Sequence, residues 1–169
     1  MKKLGMCLLL MLLLTGCSVP VWETVDDTIP AQPVAVWQDE AYEIQVGVPE
    51  GTQLLEETEG CRLYSSENGE LEIQTLTFLT AGLENAVREI SGFSSEALTI
   101  LQTQRFSLPE YQFAWVSQTD QGARLYRADL VLDGSCCYAV VCSSLEDAGD
   151  YYAFQARQVF STFGLSEHV

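Results

Sequence analysis

The sequence predicts an α+β fold: a single antiparallel sheet of about six to seven strands covered by two helices. Three patterns predict it. Apolar and polar residues alternate around Tyr42, Ile44, Val46 and Val48, and again at Tyr111, Phe113 and Trp115, the period of a half-buried strand. Asn68-Gly69 and Asp133-Gly134 separate apolar runs at hairpin spacing. Leu83, Ala86, Val87 and Ile90, and later Tyr152, Ala156, Val159 and Phe163, form the stripes of two amphipathic helices. Strands joined by short turns pair antiparallel, and the helices must bury their stripes on one or both faces of that sheet.

Each element has its own signal. The first strand runs from Tyr42 to Val48 and stops at Pro49-Glu50-Gly51. A hairpin follows, Cys61 to Ser65 and Glu70 to Phe78, turned by Glu67-Asn68-Gly69, where Asn and Gly readily adopt positive φ. The first helix carries the Leu83 to Ile90 stripe, with Gly92 where a left-handed cap belongs. Leu98 to Phe106 is rich in Thr, Ile and Leu and reads as the next strand, and Leu108-Pro109-Glu110 as a turn. The strand bearing Tyr111, Phe113 and Trp115 ends at Asp120-Gln121-Gly122. Arg124 to Leu132 and Cys136 to Ser143 make the clearest hairpin, closed by Asp133-Gly134. The last helix spans Leu145 to Phe163: Ser144 and Asp147 have capping-box spacing, Glu146, Asp147 and Asp150 sit at its positive end, and Gly164 ends it.

This order of elements, closing on Val159-Phe160-Ser161-Thr162-Phe163, resembles the Mog1/PsbP-like group, which includes bacterial lipoproteins of the DcrB and LpqN type. The resemblance covers residues 42 to 165. It implies a binding or assembly factor, and it carries over no catalytic residues.

The N-terminus reads as an address. Lys2 and Lys3 precede an apolar run from Leu8 to Leu14, too short to span a bilayer stably. Leu14-Thr15-Gly16-Cys17 resembles the lipobox of bacterial lipoproteins, which implies cleavage before Cys17, lipidation of that thiol and palmitate-type acyl chains that hold the protein on the extracytoplasmic face of a membrane. Residues 1–16 are then the signal peptide, 17–40 an acidic tether broken by Pro20, Pro30 and Pro33, 41–165 one α+β domain and 166–169 a tail. Trp22 and Trp37 are unusual in such a tether; the first suits a membrane interface, the second an interface or the domain surface.

The chain has 169 residues, 24 acidic and 8 basic, and a net charge of −16. Cleavage would remove both lysines and leave six arginines against 24 acids, or −18. Such a charge repels nucleic acid and anionic lipid headgroups.

Cysteine chemistry follows from the hairpin. With Asp133-Gly134 as a two-residue turn, residue 131 faces 136; Leu130, Ala128 and Tyr126 then share a core face with Cys137, Ala139 and Val141, and Val131, Asp129, Arg127 and Leu125 share the other with Cys136, Tyr138, Val140 and Cys142. Cys136 and Cys142 are roughly 20 Å apart, and Cys137 points away from both. The expectation is at most one disulfide, from Cys61 to Cys136, Cys137 or Cys142, with at least two thiols free.

The only histidine, His168, lies next to the C-terminus, so no Ser-His-Asp or Cys-His site and no zinc motif can be assembled. No catalytic residue, metal or cofactor is expected. Glu56-Glu57-Glu59 and Glu146-Asp147-Asp150 lack the loop spacing of a calcium site. Arg124 and Arg127 serve Asp129 and its neighbours, or mark a small anionic-ligand site. The expected function is a lipid-anchored, noncatalytic binding or assembly module with an envelope protein partner. The alternatives are a carboxylate-based hydrolase of an envelope glycan, recognisable by two facing acids in a deep cleft, and a purely structural surface lipoprotein.

Overall fold

The computed structural model describes residues 42–167; the expected signal peptide, Cys17, the tether and His168 lie outside them. Nine strands and two helices follow in the order β1 (Tyr42–Gln45), β2 (Thr52–Thr58), β3 (Cys61–Ser66), β4 (Leu71–Leu79), α1 (Leu83–Ser91), β5 (Leu101–Arg105), β6 (Leu108–Thr119), β7 (Gly122–Asp133), β8 (Cys136–Leu145), α2 (Asp150–Thr162) and β9 (Gly164–Glu167). Seven strands form one sheet, ordered β2-β3-β4-β8-β7-β6-β5, with every neighbouring pair antiparallel. The expected sheet and its two helices are therefore present.

The sheet is buried on both faces. On one, Leu71, Ile73, Val131, Tyr138 and Val140 lie beneath Ala156, Val159 and Phe163 of the α2 region and beneath Ile44 of β1. On the other, Phe113, Trp115, Ala128, Leu130, Ala139 and Val141 lie beneath Ala86 and Val87 of α1. Helices on opposite faces give three layers, and they explain why β8 is buried almost throughout instead of alternating. Phe113, Trp115 and Tyr126 stack in sequence across β6 and β7, with centroids 5.6 and 5.1 Å apart. Gly92 caps α1 in the left-handed conformation, its N–H donating to the Arg88 carbonyl at 2.8 Å, as its position predicts.

Five features correct the sequence reading. β2 was not expected, because six of its seven residues are exposed and a strand without a buried face shows no alternation. The turn expected at Leu108-Pro109-Glu110 lies instead at Phe106-Ser107, both at positive φ, and the proline sits near the start of β6. The β7–β8 turn is Gly134-Ser135, so Asp133 faces Cys136 and the register moves by two residues. Because the offset is even, every side chain keeps its expected face. The final helix begins at Asp150, since Ser143 and Ser144 remain paired in the sheet and Gly149, at φ 80°, separates them from the helix. Its first turn is held by Tyr152, whose hydroxyl donates to Glu70 and accepts from Asn68 Nδ2, tying it to the β3–β4 turn. Lastly, residues 164–167 are not helix end and tail but β9, paired with β1 from Gln45/Gly164 to Tyr42/Glu167.

Candidate functional site

Two carboxyls with shifted protonation, Glu110 and Asp129, lie where β5, β6 and β7 meet the end of α2. Strand alternation and register put Thr103 and Arg105 of β5, Glu110 and Gln112 of β6, and Asp129 of β7 on the face that α2 covers. Arg105 Nε donates to Glu110 Oε1 at 2.5 Å, its Nη2 donates to Asp129 Oδ2 at 3.1 Å, and its Nη1 donates to the Phe163 carbonyl at 2.8 Å. The guanidinium also lies 5.1 Å from the centroid of the Phe163 ring. Thr103 Oγ1 donates to Glu110 Oε2, and Gln112 Nε2 donates to Asp129 Oδ2 at 3.1 Å.

Two acids served by one arginine titrate differently. Burial, then the charge of Glu110, pushes the Asp129 carboxyl up to about 7 against the pull of Arg105. For Glu110, burial is the largest influence and acts upward, but the Thr103 hydroxyl and Arg105 together outweigh it and hold the carboxyl below its usual range. Asp129 Oδ1 has no hydrogen-bond partner among the described residues. Chemically this is an acid and a base side by side. Sterically it is closed: Asp129 is 1% exposed and Glu110 5%, and two grooves among the described residues lie elsewhere. One of them, about 140 Å³, runs between β1 and the β2–β3–β4 end of the sheet, where Arg62 is held by Glu57 and Glu43 at 2.8 and 3.3 Å.

No family model matches the sequence, and no curated protein matches it. Solved structures do. LpqN of Mycobacterium tuberculosis, described as involved in cell envelope biogenesis, superposes with a TM-score of 0.50 at 12% identity, over 76% of this chain and 86% of its own. The chain has the LpqN fold. A protein of Bacteroides thetaiotaomicron gives 0.52 at 10% identity over 74% of this chain and 46% of its own, so this chain spans less than half of that protein. Cyanobacterial PsbP from Synechocystis gives 0.47 at 11% identity. The likeness to LpqN agrees with the α+β architecture expected from the Mog1/PsbP-like resemblance.

On this LpqN-like frame the residues singled out from the sequence are scattered. Arg124 and Arg127 are three apart in one strand, so they leave opposite faces and do not form one site. Arg124 is 3% exposed and held by Glu72 at 3.3 Å, with the Gly69 carbonyl and the Ser143 hydroxyl also accepting from it. Asp129 is served by Arg105 and not by either of them. No disulfide joins any of Cys61, Cys136, Cys137 and Cys142. β4 lies between β3 and β8, so Cys61 is at least two strand spacings, roughly 9.5 Å, from each of the others, beyond the reach of a disulfide at about 7 Å. Burial pushes Cys142 up to about 12 and Cys137 higher still, which keeps both as thiols. Glu57 is engaged by Arg62, and among the described residues no group of ligand side chains gathers that could hold a metal ion. The Arg105–Glu110–Asp129 cluster was missed because its members lie in three different strands. The one local signal was an acidic residue, Asp129, within the apolar run of β7.

Proposed function

We propose that the chain is a lipid-anchored, extracytoplasmic module of the bacterial cell envelope that works by binding or assembling another protein and catalyses nothing itself. The observation that carries this reading is the burial of the acid pair. Glycoside hydrolysis needs two carboxyls that flank a bond, with room for substrate between them. Here Arg105 donates to both Glu110 and Asp129 and to the Phe163 carbonyl at the end of α2, and both carboxyls are buried. The lipobox-like Leu14 to Cys17 supports the anchor, and the shared fold with LpqN, a protein described as involved in envelope biogenesis, supports the setting. Among the described residues no helix is long and apolar enough to cross a membrane, so attachment in this reading rests on Cys17.

Cross-linking in intact cells is the test. It is expected to capture the same discrete envelope protein from wild type and from Asp129→Asn, since the acid pair takes no part in binding. A reproducible hydrolysis of wall glycan by the purified chain, abolished in Asp129→Asn while the fold persists, would overturn the proposal in favour of the carboxylate hydrolase.

A further inference from the structure

The two edges of the sheet are built differently. β2, on one side, carries the Glu56 and Glu57 carboxylates and a register irregularity between Leu54 and Glu56, devices that discourage another strand from joining. β5, on the other, has neither. Its residues Leu101, Gln102, Thr103 and Gln104 are exposed and uncharged, its register with β6 is unbroken, and among the described residues it pairs on one side only.

The hairpin geometry identifies which backbone groups are open. In a hairpin closed by two residues, the flanking pair exchanges both hydrogen bonds, and the pattern alternates from there. Arg105/Leu108, Thr103/Glu110 and Leu101/Gln112 therefore bond inward, while the N–H and C=O of Gln102 and Gln104 point out of the sheet. Pro109 fits this assignment, because it stands opposite Gln104, where β6 owes no donor to β5. Two such pairs, two residues apart, match the backbone spacing of one more strand.

We infer that β5 is a docking edge that takes an extended, cationic segment of a partner protein as an eighth strand. The sign follows from charge. The chain carries −16, and the one cation on β5, Arg105, is already balanced by Glu110 and Asp129, so a basic segment is drawn in and a second acidic copy is repelled. An edge of five residues is also short against the roughly 800 Å² per partner that a stable dimer buries. Leu101, 58% exposed, presents an apolar surface on the α2 face, and Gln102 and Gln104 present amides on the other. The inserted segment thus alternates apolar and polar residues.

The inference rests on the binding-module reading and can fail apart from it. The full chain in neutral detergent micelles is mixed with a ten-residue peptide alternating Lys and Val, or with its Glu-Val counterpart. The Lys-Val peptide is expected to slow amide exchange at Gln102 and Gln104 at least tenfold, and the Glu-Val peptide to leave it unchanged. Gln102→Pro, which removes an outward donor without touching the β5–β6 ladder, should weaken binding at least tenfold, and Gln102→Ala, which keeps that donor, less than twofold. Absence of protection at these two amides overturns the edge assignment, and a cross-linked partner in cells would then engage another surface. Protection that instead rises with protein concentration and no peptide overturns the occupant and makes it a second copy. Should Gln102→Pro fail to fold, the exchange of Gln102 and Gln104 in the wild-type chain decides alone.

Discussion

Arg105 holds two acids and the last turn of α2 at once, so its removal is expected to be costly. Arg105→Ala takes the charged donor from two buried carboxyls, leaving them Thr103 and Gln112, and removes the donor to the Phe163 carbonyl; it should lower stability by about 3 kcal/mol in urea titrations. Adding Asp129→Asn to that variant is expected to return part of the loss, because a neutral amide needs no cation and can donate to Glu110. The same pair makes stability depend on pH. Asp129 titrates near 7 in the folded chain, so the native state holds a proton that the unfolded chain releases; its contribution is full below its unfolded value and is lost as pH rises through about 7. Glu110 acts in reverse, with stability present above its ordinary value and lost as pH falls through its lowered one. Thermal melts should therefore show a lower melting temperature at about pH 8 than at about pH 6 for the wild type, and a flat response over that interval for Asp129→Asn. A wild type that melts alike at both would refute the raised titration of Asp129. Alkylation followed by mass spectrometry checks the thiols: Cys137 and Cys142 should react only after denaturation, and no bridge among the four should be found.

The elements were legible in proportion to how strongly burial marks them. Helix α1 could be bounded within a residue because its stripe and its glycine cap agree. The faces of β7 and β8 could be read because alternation survives a two-residue slip of register, whereas the register itself depended on choosing Asp133-Gly134 over Gly134-Ser135, a choice that local composition does not make. β2 was invisible because it buries almost nothing, and β9 because a four-residue strand after a helix looks like a frayed end. The β5–β6 turn was displaced because Phe106-Ser107 has no turn signature. Both residues sit at positive φ, 53° and 66°, where a side chain is strained. Replacing them together by Asn-Gly is expected to raise stability by about 1 kcal/mol, measured by denaturant unfolding. A loss instead would mean that the Phe106 ring, 59% exposed, contributes more by packing than its backbone costs.

At the scale of the molecule, the fold class was legible and the site was not. An antiparallel sheet of about six to seven strands with two helices on one or both faces follows from periodicity and turn chemistry, whereas an Arg–Glu–Asp cluster built from three strands requires the sheet order before it can be seen. The sheet order also dispersed what the sequence had grouped, sending Arg124 and Arg127 to opposite faces and keeping Cys61 from the other thiols. What remains is an acidic domain whose Arg105–Glu110–Asp129 cluster is internal, whose β5 edge is proposed to take a partner strand, and which is proposed to hang from a lipid at Cys17. Detergent phase partition of the native product, with intact mass of its N-terminal peptide, tests that attachment most directly. The account predicts recovery in the detergent phase with Cys17 acylated, and transfer of Cys17→Ser to the aqueous phase. A wild-type chain found in the aqueous phase with an unmodified Cys17 thiol would contradict it.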